Sequence, residues 1–427
     1  MRVESGCSAL HTEVDAVEIN TDSDVRLGSP LRNCELRGIE RRLHLDCSKW
    51  DTQVGDTRVL SEQPLILSGR TWNLLCVFAE QLAAETALLE SIVVDSPRYQ
   101  SLIGVPKPIR RILAYKKDGG CNDTLHSTRA MRFDFHPTTT GWRVSEVNSD
   151  VPGGWCEASF LPILYQPFFK ELTLPASPLE AWTRSMQHLS ADSHVALLSA
   201  PGFLEDQQVV RIFMRELQSK GIRCSLIQSP HALKWKPGLC ALRSGDHRVS
   251  VVVRFYQIEW LCCLPRSTGW KELLETSKVS VTNPVISAVS ESKRFALLFN
   301  ERSECPSWRK LMPECCDPRD VVGADWDRFV LKGCYSNTGD SVHLCGSLSR
   351  NEQQRLIQKA RREPLKWIAQ RRFETHPIES TRGLLYPCVG VFVINGRAAG
   401  AYVRLSSTQV TDGSAKEAPL FIDQTVP

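Results

Sequence analysis

No C-x-x-C pair occurs among the 16 cysteines of this 427-residue chain, and the closest are the adjacent Cys262-Cys263 and Cys315-Cys316. Structural zinc sites draw on paired ligand spacing, so zinc is unsupported. Cysteines such as Cys76, Cys262 and Cys388 stand in apolar surroundings and are expected as small buried hydrophobes. Charge interrupts every long apolar stretch, so no membrane span is expected. The opening Met1-Arg2-Val3-Glu4-Ser5-Gly6-Cys7 lacks the apolar core of a secretory signal, which makes a cytoplasmic location the expectation. Lys and Arg form no block like a nucleic-acid arm, and the net charge is only +4. No nucleic-acid partner is expected. A Walker loop, an internal repeat, a low-complexity tract and a convincing nucleophilic triad are also missing.

What is present suits a soluble globular protein. Hydrophobic residues at 42% and charged residues at 23% are ordinary, and the length allows two or three domains with a sizeable core. The most telling residues lie on two short predicted strands, Met131-Arg132-Phe133-Asp134-Phe135 and Val144-Ser145-Glu146-Val147-Asn148-Ser149-Asp150, joined by the turn His136 to Gly141. Alternate strand residues share a face. Arg132 and Asp134 therefore fall together, as do Glu146, Asn148 and Asp150. A solvated hairpin would carry such charges harmlessly, but three carboxylates on one surface otherwise require a compensating cation. Oxygen ligands of Asp, Glu and Asn suit Mg2+, and a guanidinium beside the ion suits phosphate.

The rest of the chain supplies a scaffold. Residues 1–65 are unassigned. Trp72, Leu75, Leu82, Leu89 and Ile92 recur near helical spacing and predict a long helix within a unit spanning 66–190. A second unit, 191–280, begins with the apolar run His194 to Ser199, then a helix carrying Val209, Ile212, Phe213 and Leu217, then a strand from Ile222 to Ile227. Strand–helix–strand predicts a parallel α/β layer. Glu205 and Asp206 follow its first strand, as ligand contacts or as plain helix N-terminal charges. Arg254 and Glu259, at the end of another apolar strand, are either an ion pair or substrate contacts. In the last unit, 281–427, Lys293 lies in an amphipathic stretch and Lys332 ends a strand before the small polar loop Gly333 to Asp340. Asn395-Gly396 between apolar runs predicts a hairpin from Val389 to Arg404.

In this order the pieces resemble the synthetase domain of the glutathionylspermidine synthases, a circularly permuted ATP-grasp family. The resemblance runs from about residue 70 to near the C-terminus. It is carried by R-x-D at Arg132 and Asp134, with E-x-N beginning twelve positions after Asp134 at Glu146 and Asn148. Arg254-Phe255-Tyr256-Gln257-Ile258-Glu259-Trp260 and the closing hairpin add to it. It implies a mixed α+β and α/β fold, a permuted ATP-grasp with a Rossmann-like pre-ATP-grasp subdomain, and ATP and Mg2+ as cofactors. On this resemblance Asp134, Glu146 and Asn148 correspond to Mg2+ ligands, and Arg132 to the clamp on the transferred phosphoryl group. Lys293 and Lys332 correspond to ATP-phosphate ligands. Gly339 falls in the phosphate loop, Gln370, Arg371 and Phe373 in the hinge around adenine, and Arg404 also on the nucleotide side. Asp150, Glu205, Asp206, Arg254 and Glu259 are the expected substrate contacts.

The family chemistry joins a small-molecule or peptide-like carboxylate to an amine through an acyl phosphate. Phosphoryl transfer needs positioning and charge neutralisation more than a protein nucleophile, which agrees with this inventory. Two departures stand out. Val151-Pro152-Gly153-Gly154 replaces the family's small hydroxyl residues, which points away from glutathione, and Ser336-Asn337-Thr338-Gly339 replaces its phosphate turn. The alternative expectation is a non-catalytic nucleotide-binding module that kept the fold.

Overall fold

The computed structural model describes residues 24–55, 57–115, 127–236, 239–243, 245, 247–275, 279–321, 325–336 and 341–426. β1 (Val25–Leu27) and α1 (Asn33–Asp46) lead to β2 (Leu65–Ser68), which runs straight into α2 (Gly69–Asp95). The Ser68 hydroxyl accepts from the Thr71 amide at 3.2 Å and caps that helix. Trp72, Leu75, Ala79, Leu82, Leu89 and Val93 form its buried stripe, whereas Ile92 is only half-buried. The hairpin β3 (Ala130–Thr138) and β4 (Gly141–Asn148) and helix α3 (Trp155–Tyr165) follow.

A parallel unit comes next: β5 (His194–Ser199), α4 (Leu204–Ser219), β6 (Arg223–Ile227), β7 (Val251–Phe255) and β8 (Ser280–Thr282). Its sheet order is β8-β7-β5-β6, every pair parallel. The amphipathic stretch around Lys293 is not one helix. It divides into α5 (Ser287–Glu291) and a 3-10 turn, Lys293–Asn300, because Ser292 takes an extended backbone between them. β9 (Cys315–Cys316), β10 (Phe329–Gly333), β11 (Val342–Leu344), α6 (Arg350–Arg362) and β12 (Trp367–Arg371) then build a small antiparallel sheet of order β9-β12-β10-β11.

The chain ends with β13 (Ile378–Ser380), β14 (Gly383–Ile394), β15 (Arg397–Ser406), β16 (Lys416–Ala418) and β17 (Leu420–Asp423). β16, β15 and β14 join β3 and β4 in one antiparallel sheet, with β13 beside β14. The first and last parts of the chain thus share this sheet. They share another, in which β17 runs parallel to β2 and β1 antiparallel to it. One face of the large sheet presents Phe133, Phe135, Val144, Val389, Val391 and Val403 to the core, where α2 packs. Its other face packs Phe392 on Trp155 of α3 and carries Arg132, Asp134 and Arg404 beside that contact. The architecture is mixed α+β, and no helix among the described residues is long and apolar enough to cross a membrane.

Candidate active site

Strand register gathers the polar residues. Glu146 pairs with Asp134, Asp134 with Gly390 and Gly390 with Tyr402, a single row across β4, β3, β14 and β15. Asn148 pairs with Arg132 one row away, and Cys388 with Arg404 on the other side. Arg132 grips Asp134 with Nε on Oδ1 at 2.8 Å and Nη2 on Oδ2 at 3.1 Å. Arg404 donates to the same Oδ2 at 2.8 Å, and Asn148 Nδ2 at 3.3 Å. Burial alone would push the Asp134 carboxyl up, but the two guanidiniums outweigh it and hold it at about 2. A Cβ on Gly390 would lie 2.8 Å from Arg132 Cδ and Asp134 Oδ1, so the pair fits only because that position is glycine.

The lysines arrive from the small sheet and the 3-10 turn. Lys293 Nζ stands 3.3 Å from Glu146 and donates to the Ser336 carbonyl at 2.7 Å. A register shift between Asp134 and Phe135 makes Ser145 an extra residue on β4. Such a bulge releases a backbone carbonyl from the ladder. Lys332 Nζ and Gln370 Nε2 both donate to it, at 3.1 and 3.3 Å, which docks the small sheet on the hairpin. Burial lowers the Lys332 ammonium, while Lys293 is raised despite burial by Glu146 and Glu291. Four cations, Arg132, Lys293, Lys332 and Arg404, thus meet two carboxylates, Asp134 and Glu146. The imbalance favours a polyanion.

A cavity of about 360 Å³ opens over this cluster. Arg132, Glu146, Asn148, Lys293, Lys332, Gln370, Phe373 and Arg404 line it on one side, Glu205 and Asp206 on another. Asp206 is buried, its Oδ2 has no hydrogen-bond partner, and burial with Glu205 beside it pushes its carboxyl up to about 7. Arg371 turns away to Glu314, 3.2 Å distant. Gly339 lies outside the described residues.

Asp150 and Arg254, expected at the substrate, are instead fully buried partners. Ile258 N, Ser287 Oγ and both Arg254 Nη atoms fill the acceptors of Asp150, and Arg254 also binds the carbonyls of Tyr256 and Asn283. Neither lines the large cavity. The parallel sheet brings Arg254 beneath the hairpin's end, where a desolvated guanidinium must find its counter-ion. Glu259 lies in the first turn of the short helix Ile258–Leu261, beside that pair. Burial, with Asp150 and Glu291 nearby, pushes it up to about 8.

Glu291 ties the two halves of the site together. Its Oε2 accepts from the amides of Ser149 and Asp150 at 2.7 and 2.8 Å, just past Asn148 and two residues before Lys293. His136 is a further cavity residue that sequence reasoning missed. Its Nε2 lies 3.0 Å from Ser145 Oγ, and burial holds it at about 4, hence neutral. Its place two residues after Asp134 was the available signal. Asp51, Tyr402 and Glu417 also line the cavity. Only Tyr402 had one, two positions from Arg404 on a predicted strand.

Oxygen donors suited to Mg2+ are present, although the described residues contain no group of three or more His, Cys, Asp or Glu side chains that could hold a metal. Glu146 and the Asn148 amide oxygen are the donors least engaged. Asp134 has both oxygens on guanidiniums, so it supports the site as an anchor for Arg132 and Arg404 unless a ligand draws them off.

A glutathione synthetase-like effector from Globodera pallida, solved in the apo form, has the same fold: TM-score 0.65 over 91% of this chain and 96% of that one, at 12% identity. No curated protein matches. The profile described as glutathionylspermidine synthase pre-ATP-grasp matches residues 122–423, which contain the hairpin, both lysines and the parallel sheet, and the chain belongs to the glutathionylspermidine synthase family.

Proposed function

We propose that this protein is an ATP- and Mg2+-dependent ligase that joins a carboxylate to an amine through an acyl phosphate, on a circularly permuted ATP-grasp arrangement. One observation carries the reading: the Glu146–Asn148 strand faces Lys293 and Lys332 across a single cavity, with Lys293 3.3 Å from Glu146. Lys293 and Lys332 bind the nucleotide phosphates, Gln370 and Phe373 border the base, and Glu146 and Asn148 hold the metal, which neutralises phosphate charge when bound. Arg132 stands where charge develops on the transferred phosphoryl group, and Arg404 backs it through Asp134. Glu205 and Asp206 face the same cavity as the anionic contacts for a cationic amine. Asp150 and Arg254 serve as an internal brace, and Glu259 stands next to it.

The second reading is a nucleotide-binding module without turnover. The full engagement of Asp134 by two arginines favours it. Phosphate release with ATP, Mg2+ and a panel of carboxylates and amines separates the two. Turnover that needs both organic substrates and is lost in Glu146→Ala is expected. Nucleotide binding with no turnover across the panel selects the module. Arg132→Ala is expected to keep ATP bound through Lys293 and Lys332, losing only the terminal-phosphate contact from the affinity, while raising the barrier by ~2–4 kcal/mol, the effect of a lost charge-stabilising donor. An unchanged rate removes Arg132 from the chemistry.

A further inference from the structure

Lys49 is a lysine only 2% exposed, from the stretch that precedes the family match. Its ammonium touches three carboxylates: Asp51 at 2.8 Å, Glu417 at 3.1 Å and Glu157 closer still. These come from three separate places, the segment after α1, the edge strand β16 and the first turn of α3. A lone buried ammonium among them is the only charge in the described cluster that offsets their mutual repulsion. Asp51 and Glu417 line the cavity. Gln208 of α4 fixes the approach, accepting from the amides of Trp50 and Asp51.

The cluster reaches the arginines through Tyr402. The Tyr402 hydroxyl donates to Glu417 Oε1 at 3.3 Å. Its ring centroid lies 5.3 Å from the Arg132 guanidinium carbon and 5.4 Å from that of Arg404. A guanidinium near an aromatic face gains from the ring quadrupole and is steered by the ring's placement. The ring itself rests on Gly154, where an added Cβ would come within 2.4 Å of it. Arg132 is held at a third point by the Gly153 carbonyl, 2.6 Å from Nη1.

We infer that Lys49 is a positioning residue: it fixes Glu417, and through the Tyr402 ring it aims Arg132 and Arg404 into the cavity. The N-terminal segment thereby completes a site whose reacting groups all come from elsewhere. This rests on the proposed placement of Arg132 at the terminal phosphate of ATP, with Arg404 backing it. The charges of the cluster support the dependence on Lys49. Burial and Glu157 push Glu417 up to about 8 even with the lysine present, and Lys49 itself is raised against its burial by Glu157 and Glu417.

Calorimetric binding of ATP·Mg and ADP·Mg to the full chain tests it. Wild type is expected to prefer ATP, and Lys49→Met to weaken ATP about tenfold while moving ADP less than about twofold, the loss of one well-aimed charge-assisted contact. Lys49→Arg restores the preference. Tyr402→Phe keeps the ring, removes the link to Glu417, and is expected to shift the ratio in the same direction. It decides the question if Lys49→Met does not fold. Equal weakening of both nucleotides, or an unchanged ratio in both variants, assigns Lys49 a purely structural role and overturns the inference. A wild type that binds ATP and ADP alike instead overturns the arginine assignment beneath it.

Discussion

At the scale of single residues, glycines decide what the site can hold. Gly154 has φ +88° and lies against the Tyr402 ring, so both its backbone and its missing Cβ are required. Gly153 faces Glu205, whose Oε1 would lie 2.5 Å from an added Cβ. The segment that departs from the family's hydroxyl residues is therefore one that lets three charged or aromatic side chains approach a backbone. Gly154→Ala is expected to lower stability by ~1–3 kcal/mol from overpacking, with further strain from the left-handed backbone, and to weaken nucleotide binding. A wild-type melting temperature would show that the ring moves freely.

Asp206 gives a pH-dependent prediction at the same scale. Its folded-state carboxyl sits near 7, above the ordinary value of 3.8, because burial and then Glu205 disfavour the charge. A raised acid costs nothing below its unfolded pKa and destabilises the fold as pH rises through its folded pKa. Asp206→Asn is thus expected to be more stable than wild type at pH 8, by on the order of a few kcal/mol, and to lose that advantage near pH 4. Denaturant melts at the two pH values measure the difference. A constant difference would mean that Asp206 does not titrate between them.

At the scale of elements, strand alternation made the hairpin legible. Arg132, Asp134, Glu146 and Asn148 follow period two, and the turn after His136 fixed their partners closely enough to foresee one charged face. Asp150 broke the pattern because β4 ends at Asn148 and the chain turns under α5, where Arg254 waits. The long helix was legible from its apolar stripe, and the parallel unit from its alternation of apolar strand and amphipathic helix. The bulge at Ser145 was not, since nothing local distinguishes an extra residue from a paired one. The division at Ser292 was hidden for a related reason: apolar spacing continues through it while the backbone does not.

Glu291 is the element-scale joint, holding the end of β4 to the turn that carries Lys293. Glu291→Ala leaves two buried amides without their acceptor, which is expected to cost ~1–3 kcal/mol. The same change is expected to weaken ATP binding, because Asn148 and Lys293 lose their common anchor. Chemical denaturation and calorimetry check the two effects. Unaltered affinity alongside lost stability would confine Glu291 to the fold.

At the scale of the whole molecule, the cationic cluster joins the two sheets that bracket the cavity. Saturating Mg·ATP is expected to raise unfolding stability by ~2.7 kcal/mol at a hundredfold excess over Kd, and to do so less in Lys332→Met at the same concentration. Acid acts in the opposite direction. The depressed Asp134 carboxyl contributes stability that is present above its ordinary value of 3.8 and is lost as pH falls towards about 2. The acid limb of the stability curve should therefore be shallower between those values in Asp134→Asn. Curves with the same slope would mean that the Arg132 and Arg404 pairs contribute nothing there.

Local chemistry along the chain determined the kinds of element and the charged face of one hairpin, because those depend on spacing and side-chain type. Tertiary structure decided which distant segments share the cavity. Asp51 and Glu417 stand 366 positions apart in sequence yet meet at Lys49, and Asp150 is withdrawn by an arginine 104 positions away. Buried charges select their partners by desolvation after the chain has packed, and no periodicity records that choice.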